Sequence, residues 1–420
     1  MTDLKYHRRI LGASMVGTAI EFYDFYIFAT AASLVFGPLF FPTASPEAQL
    51  LQSWLTFALA FIARPIGAAV FGHYGDRLGR KTTLVWSLLI MGCSTVLIAF
   101  LPSYAVAGWI APALLCVLRF SQGFGLGGEW GGASLLAVEN APEGKKARYG
   151  MFPALGAPIG FILSNGLFLL LGLTLNDTDF RDWGWRIPFL ASAVLIGIGL
   201  WMRVKLTETP AFENARAKAP PTRLPFLDVI RYHRRELLGG TMAATACFTV
   251  FYIATAFALG YGTTKLGVGR EDFLSIQLIA ILFMGLGIIV SGYWADQASP
   301  IKVLAWGCVL ALAVSFLTAP LLGSGDILLM GVYLSGLLFV MGLIYGPLGG
   351  WLPALFPTNV RYTGISVCFN AAGIFGGALS PNIALKLSES GLAWVGYYMG
   401  MVSTFSLLGL FLLRGRNWSK

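Results

Sequence analysis

The chain has 420 residues, 56% of them hydrophobic and only 12% charged, with a mean hydropathy of +0.72. That balance excludes an ordinary soluble domain, in which about a quarter of residues are charged. The net charge of +9 does not point to nucleic acid, because its cations fall in the short segments between long apolar runs, where they report membrane topology.

Those runs lie at roughly 11–36, 50–71, 83–101, 107–138, 148–173, 187–203, 237–262, 273–295, 302–321, 327–350, 362–386 and 392–413. Each is long enough for a helix to cross a bilayer and too long for the alternating strands of an outer-membrane barrel. The expectation is therefore an all-α integral membrane protein with twelve transmembrane helices. They divide into an N-terminal half over 1–203, a polar and basic linker over 204–236 and a C-terminal half over 237–420. With the N-terminus inside, 22 lysines and arginines fall on the inner side and 5 on the outer, which places both termini in the cytoplasm. The first run follows basic residues as a signal peptide would, but it is long and carries Glu21 and Asp24, so it is expected to be retained. The five cysteines sit in apolar runs without metal-ligand spacing and read as packing residues.

In the first run, Glu21-Phe-Tyr23-Asp24 puts two carboxylates three residues apart on one helix face. Carboxylates at membrane depth face a bundle interior and mark proton or ion pathways, or else pair structurally with an arginine. The second run holds Phe61-Ile-Ala-Arg64-Pro65-Ile-Gly67, in which Arg64 is either a substrate cation or the partner of an acid. It leads into Gly72-His-Tyr-Gly-Asp76-Arg77-Leu-Gly79-Arg80-Lys81, a charged, glycine-bearing turn before the third run. The fourth run contains Arg119-Phe-Ser-Gln122-Gly123-Phe-Gly125-Leu-Gly127-Gly128-Glu129-Trp130-Gly131-Gly132. Its Gly-x-Gly-x-x-Gly does not follow a strand and is not a dinucleotide site. Gly123, Gly127 and Gly131 instead form a smooth stripe for close helix packing. Arg119 and Gln122 share a face, and a buried guanidinium there suits an anionic substrate, or neutralises Glu21 or Asp24. In the second half, Gly292-Tyr-Trp-Ala-Asp296 repeats the turn in degenerate form. The spans there lack carboxylates, and Tyr252 and Asn370, near the middles of their helices, are the polar groups expected to meet substrate.

The turn from Gly72 to Lys81 resembles the loop between the second and third helices of the major facilitator superfamily, which implies a gating role for Gly72, Asp76, Arg77, Gly79 and Arg80. The first-helix run, the Arg64-Pro65 segment, the Arg119 to Gly132 run, Asp182-Trp-Gly-Trp-Arg186 and Leu355-Phe-Pro357-Thr-Asn-Val-Arg361 are similar to the metabolite:proton symporters of that superfamily, which move shikimate, α-ketoglutarate, citrate and proline or betaine. The fifth run has Gly156-Ala-Pro158-Ile-Gly160-Phe161, which departs from the antiporter pattern. The resemblance implies proton-coupled uptake of a small carboxylate at the cell (inner) membrane, with Glu21, Asp24 and Glu129 in proton coupling and Arg119, Gln122, Tyr23, Arg64, Tyr252 and Asn370 at the substrate. The proton is the coupling ion; no cofactor or metal is expected, and the partners are a small organic anion and the lipid bilayer, with no nucleic acid and a monomeric chain. An osmolyte carrier for betaine or proline, or an uncoupled facilitator, is the alternative. The end of the chain shortly after Leu413 weighs against an osmosensing tail.

Overall fold

The computed structural model describes residues 2–78, 80–127, 129–204, 225–357 and 360–414; within these, the side chains of residues 2–9, 72–78, 80–84, 202–204 and 225 lie outside the description. In hydrocarbon every backbone N–H and C=O has to be satisfied within the segment, so the apolar runs become helices. They are α1 (Thr2–Leu34), α2 (Pro46–Leu78), α3 (Arg80–Ile98), α4 (Ile110–Glu139), α5 (Lys146–Thr174), α6 (Arg186–Val204), α7 (Arg234–Thr264), α8 (Arg270–Gln297), α9 (Pro300–Ser315), α10 (Ile327–Ala354), α11 (Arg361–Ser388) and α12 (Leu392–Leu412). These twelve match the twelve expected runs. A further helix, Pro225–Tyr232, lies inside the stretch assigned to the linker.

Local chemistry sets several ends. Pro300 opens α9, where its missing N–H costs nothing. Asp326 caps α10 by accepting from the backbone N–H groups of Leu328 at 2.8 Å and Leu329 at 3.1 Å. The charged turn between the second and third runs is narrower than expected, because α2 runs helical to Leu78 and α3 begins at Arg80.

Burial separates lipid from core along each helix. On α2, Leu55, Ile62 and Ile66 are exposed, as lipid-facing residues are, while Trp54, Phe57, Phe61 and Arg64 turn inward. α7 is buried on all sides at the centre of the bundle. Two helices at the centre carry π segments, α7 at Ile253–Phe257 and α11 at Gly373–Ala378. Such segments leave backbone carbonyls without a regular partner and recur at functional sites. α4 spans Ile110–Glu139, with Gly127 in the αR region and Gly128 outside the described residues.

Candidate functional site between the halves

The two ends of the bundle are distinguished by sequence. One carries the basic turns, at residues 145–148 for example, and is called the basic end; the other is the far end. α1 runs from the basic end to the far end, so the order of its residues gives depth.

A cavity at the interface of the halves is lined by Glu21 and Phe22 of α1, Arg64 of α2, Leu126, Gly127, Trp130 and Gly131 of α4, and Ser366, Phe369 and Asn370 of α11. Its volume, about 10 Å³ for the centre of a water-sized sphere, is close to the minimum that holds one water. Glu21 and Arg64 are both buried. The Arg64 guanidinium lies 4.3 Å from the Phe25 ring centroid and 4.9 Å from that of Phe61, and its Nε has no hydrogen-bond partner. Ser366 Oγ, on the opposite wall, is likewise without a partner. The cavity thus pairs an acid and a guanidinium from the first half with neutral polar groups from the second.

Arg119 does not reach this cavity. It is fully buried inside the first half, with its guanidinium 4.0 Å, 4.3 Å and 4.7 Å from the ring centroids of Phe28, Phe25 and Phe57. Its Nε donates to the Phe57 carbonyl at 3.3 Å and its Nη1 to Gln122 Oε1. Gln122 passes the network on, donating to the Asp24 carbonyl at 2.9 Å and to Thr95 Oγ1 at 2.8 Å. Asp24 is fully buried and accepts from Ser192 of α6 at 2.5 Å. Tyr23 donates to the Pro188 carbonyl at 2.8 Å, which turns it toward α6 and away from the other half. Glu129 accepts from Ser87 of α3 at 2.9 Å. Of the residues expected at a site, the structure brings Glu21, Arg64 and Asn370 to one cavity, and gathers Arg119, Gln122 and Asp24 into a separate network within the first half.

The glycine stripe of α4 is divided between two partners. Gly123 and Gly127 pack on the backbone of α2, at Ala60 and at Arg64 to Ala68, whereas Gly131 meets Ser366 of α11. The division falls between Gly127 and Gly131. There the Asn370 side chain donates to the Gly127 carbonyl at 3.1 Å, joining the halves. Beside it, Trp130 stacks on Phe369 with centroids 3.6 Å apart and donates to the Tyr345 hydroxyl at 3.0 Å.

Both ends are shut. At the basic end, Asp296 of α8 accepts from the backbone N–H of Ala147 at 2.9 Å and of Arg148 at 3.3 Å, and forms an ion pair with the Arg148 side chain at 2.9 Å. A carboxylate at the start of α5 also meets the positive end of the helix dipole. Gly150 packs directly on Gly349 and Gly350 of α10, and a Cβ there would stand 2.5 Å from the Gly350 nitrogen. At the far end, Lys265 pairs with Glu47 at 2.6 Å, Arg270 with Asp177 at 3.2 Å, and Ser33 accepts from Trp54 at 3.2 Å while lying 3.4 Å from the Ala256 carbonyl. Among the described residues, the halves are thus joined at both ends.

In the second-half turn Asp296 keeps its place. The basic residues after it are lost, but the acid remains at the position corresponding to Asp76 and closes the basic end. The side chains of Gly72, Asp76, Arg77, Gly79 and Arg80 lie outside the described residues.

A buried site between two six-helix halves, closed toward both ends, is the architecture of an alternating-access carrier. The family described as Major Facilitator Superfamily matches residues 14–381. The chain belongs to that superfamily. Over 417 residues it is 48% identical to the inner membrane metabolite transport protein YhjE of Escherichia coli, covering 98% of this chain and 95% of that one. It is 36% identical to the E. coli shikimate transporter, over 90% and 87% of the two chains, and 31% identical to the proline/betaine transporter of Salmonella typhimurium, over 96% and 82%. Among solved structures, the xylose transporter XylE from E. coli in a partially occluded inward-open conformation superposes with a TM-score of 0.79 at 17% identity, covering 99% of both chains. The same carrier bound to 6-bromo-6-deoxy-D-glucose gives 0.78 at 17% identity, over 98% of this chain and 96% of that one. The facilitator fold and a role in transport follow, as does a multi-pass location in the inner membrane.

Proposed function

We propose that the chain is a proton-coupled symporter that brings a small carboxylate-bearing metabolite into the cytoplasm, binding it in the cavity where Glu21 and Arg64 face Ser366 and Asn370. The observation that carries this reading is that an acid and a guanidinium from one half line one buried cavity whose opposite wall is neutral. While Glu21 is ionised, its charge offsets that of Arg64. Protonation removes the negative charge and leaves the guanidinium to be matched by a substrate carboxylate, so proton and anion bind together and the buried site stays neutral. A bare charge in the low-dielectric core is costly, and this cost is what ties one species to the other.

The site residues expected from sequence are redistributed in this proposal. Arg64 replaces Arg119 as the anion's partner, and Arg119, Gln122 and Asp24 become the scaffold that holds α1, α3 and α4 together. Tyr23 joins that scaffold. Asn370 divides its role between wall and gate.

The betaine reading has weaker support. A quaternary ammonium is held on open aromatic faces, and in this cavity one face of Trp130 is covered by Phe369 at 3.6 Å while Phe22 is stacked on Tyr26 at 5.5 Å.

The test is uptake into proteoliposomes of labelled shikimate, α-ketoglutarate, citrate and betaine, with and without an inward proton gradient. Gradient-driven accumulation of a carboxylate supports the proposal. Accumulation of betaine alone, or indifference to the gradient, transfers the reading to an osmolyte carrier or an uncoupled facilitator.

A further inference from the structure

A second cavity lies on the far-end side of the first. The two are separated by a layer of rings: Phe22, which lines the first, stacks at 5.5 Å on Tyr26, which lines the second. Tyr252 completes the layer, 5.6 Å from Phe61, whose ring carries Arg64. Tyr26 lies five positions after Glu21, about 7.5 Å of helix rise, so the two cavities are within reach of one small molecule that displaces the rings between them.

The second cavity differs in chemistry. Its polar lining is Tyr26 and Thr30 of α1, Asn165 of α5, Tyr252 and Thr255 of α7 and Gln277 of α8, and among the described residues none of the side chains on its walls is charged. Gln277 is fully buried and held in one orientation. Its amide nitrogen donates to the carbonyls of Ala254 at 3.1 Å and Thr255 at 2.9 Å, both within the π segment of α7. Both donor hydrogens are thereby used on backbone carbonyls, and Gln277 Oε1 is left without a partner. A buried acceptor fixed in this way calls for a hydrogen-bond donor. Thr30 donates to Asn165 Oδ1 at 2.5 Å, which orients that amide too.

We propose that this compartment receives the hydroxylated end of the substrate, so that the transported metabolite is a hydroxy acid. The inference rests on the carboxylate reading of the first cavity and adds what lies at the other end of the ligand. A second carboxylate would set acceptor against acceptor at Gln277 and bring a charge that these walls do not balance. A quaternary ammonium carries no donor. A hydroxyl is neutral and both donates and accepts, which suits the Gln277 oxygen and the hydroxyls of Tyr26, Tyr252 and Thr255 alike. The walls act as a site built to hydrogen-bond a substrate hydroxyl, and such sites reject the analogue lacking it because their own polar groups are then left unpaired.

The test is equilibrium binding to the full chain in lipid nanodiscs, using monocarboxylic acid pairs alike in carbon frame and differing in hydroxyls: shikimate and 1-cyclohexenecarboxylate, gluconate and hexanoate, 4-hydroxybutyrate and butyrate. The wild type is expected to prefer the hydroxylated member of at least one pair by tenfold or more. Gln277→Leu and Tyr252→Phe should each cut that preference to threefold or less while leaving affinity for the hydroxyl-free acid within threefold; Tyr252→Phe, which removes one oxygen, serves if Gln277→Leu does not fold. Arg64→Gln should weaken both members of the pair. Equal binding of both members of every bound pair, or a preference that survives in both variants, overturns the hydroxyl compartment, and if Arg64→Gln still weakens both acids the carboxylate reading stands. Failure of every acid to bind the wild type overturns both.

Discussion

Asn370 of α11 donates its side-chain amide to the backbone carbonyl of Gly127 in α4, 3.1 Å away across the interface of the halves. A backbone carbonyl has two lone pairs, so one on a helix face that meets the other half can accept from a side-chain donor as well. One side chain therefore bonds to the backbone of the opposite half, and the alternating access proposed above requires this bond to break when the halves part. Replacing Asn370 with Ala removes a hydrogen bond contributing about 1 kcal/mol, a change of roughly fivefold in the balance of closed and open states. Accessibility of a cysteine placed at Ser366 to a thiol reagent added from the cytoplasmic side should rise by that factor; unchanged accessibility would count against Asn370 as a gate contact.

Asp296 holds the same end by a different chemistry. Its side chain is 4% exposed while that of Arg148 is 30% exposed, so the pair is screened on one side only. Asp296→Ala should weaken closure by about 2 kcal/mol, below the 3–5 kcal/mol of a fully buried pair. Asp296→Asn keeps an acceptor for the Ala147 N–H and should fall between the two. Double electron–electron resonance between spin labels on α5 and α8 at the basic end would read the open population, and an identical distance distribution in all three proteins would refute the assignment.

Arg64 and Arg119 should separate cleanly on mutation. Arg64→Gln is expected to weaken carboxylate binding by tenfold or more, the effect of losing a charge-assisted contact, with a modest change in melting temperature. Arg119→Gln removes a guanidinium packed on three rings and bonded to Gln122 and the Phe57 carbonyl, worth about 2 kcal/mol or more for the ring contacts alone. It should lower thermal stability first. A reversed outcome, with Arg119→Gln stable and unable to bind, would return Arg119 to the substrate.

The proposed function places proton coupling at Glu21. Glu21→Gln should abolish accumulation driven by an inward proton gradient and retain counterflow exchange of substrate, because a permanently neutral side chain leaves Arg64 for the anion but carries no proton. Asp24→Asn, away from the cavity and bonded to Ser192, should impair folding or rate without this split. If Glu21→Gln accumulates substrate as the wild type does, the coupling role belongs elsewhere.

Gly150 is where α5 and α10 touch backbone to backbone. Gly150→Leu should block closure at the basic end, since even a Cβ would stand 2.5 Å from the Gly350 nitrogen. Binding from the cytoplasmic side should persist while net transport is lost; wild-type transport rates in this variant would show that the halves separate here less than proposed.

The helices were legible because their signal is additive. Each apolar run of about twenty residues reports its own span whatever it packs against, and the charged turns between runs report sidedness. The buried acids and arginines were legible for the same reason, since a charge inside such a run has few structural uses. Their partners were not. Arg64 and Arg119 are alike in sequence, each in an apolar run and each near aromatic residues, and only the packing turns one toward the other half and the other onto Phe25, Phe28 and Phe57. Tyr23, four residues before Ile27 on a helix with acids on either side, gave no sign in sequence that it bonds to Pro188.

Composition and spacing by themselves determined a twelve-helix membrane protein whose polar residues of interest lie in α1, α2, α4, α7 and α11, because hydrophobicity and helical period are properties of a chain segment taken alone. Tertiary structure alone decided that Glu21, Arg64 and Asn370 share a cavity, that Asp296 closes the basic end, and that Gln277 presents one unpaired oxygen to a neutral compartment. Each of these depends on the rotation of one helix about its axis relative to its neighbours. That angle is set by how glycines, rings and backbone carbonyls on facing helices fit together, and no single segment contains it.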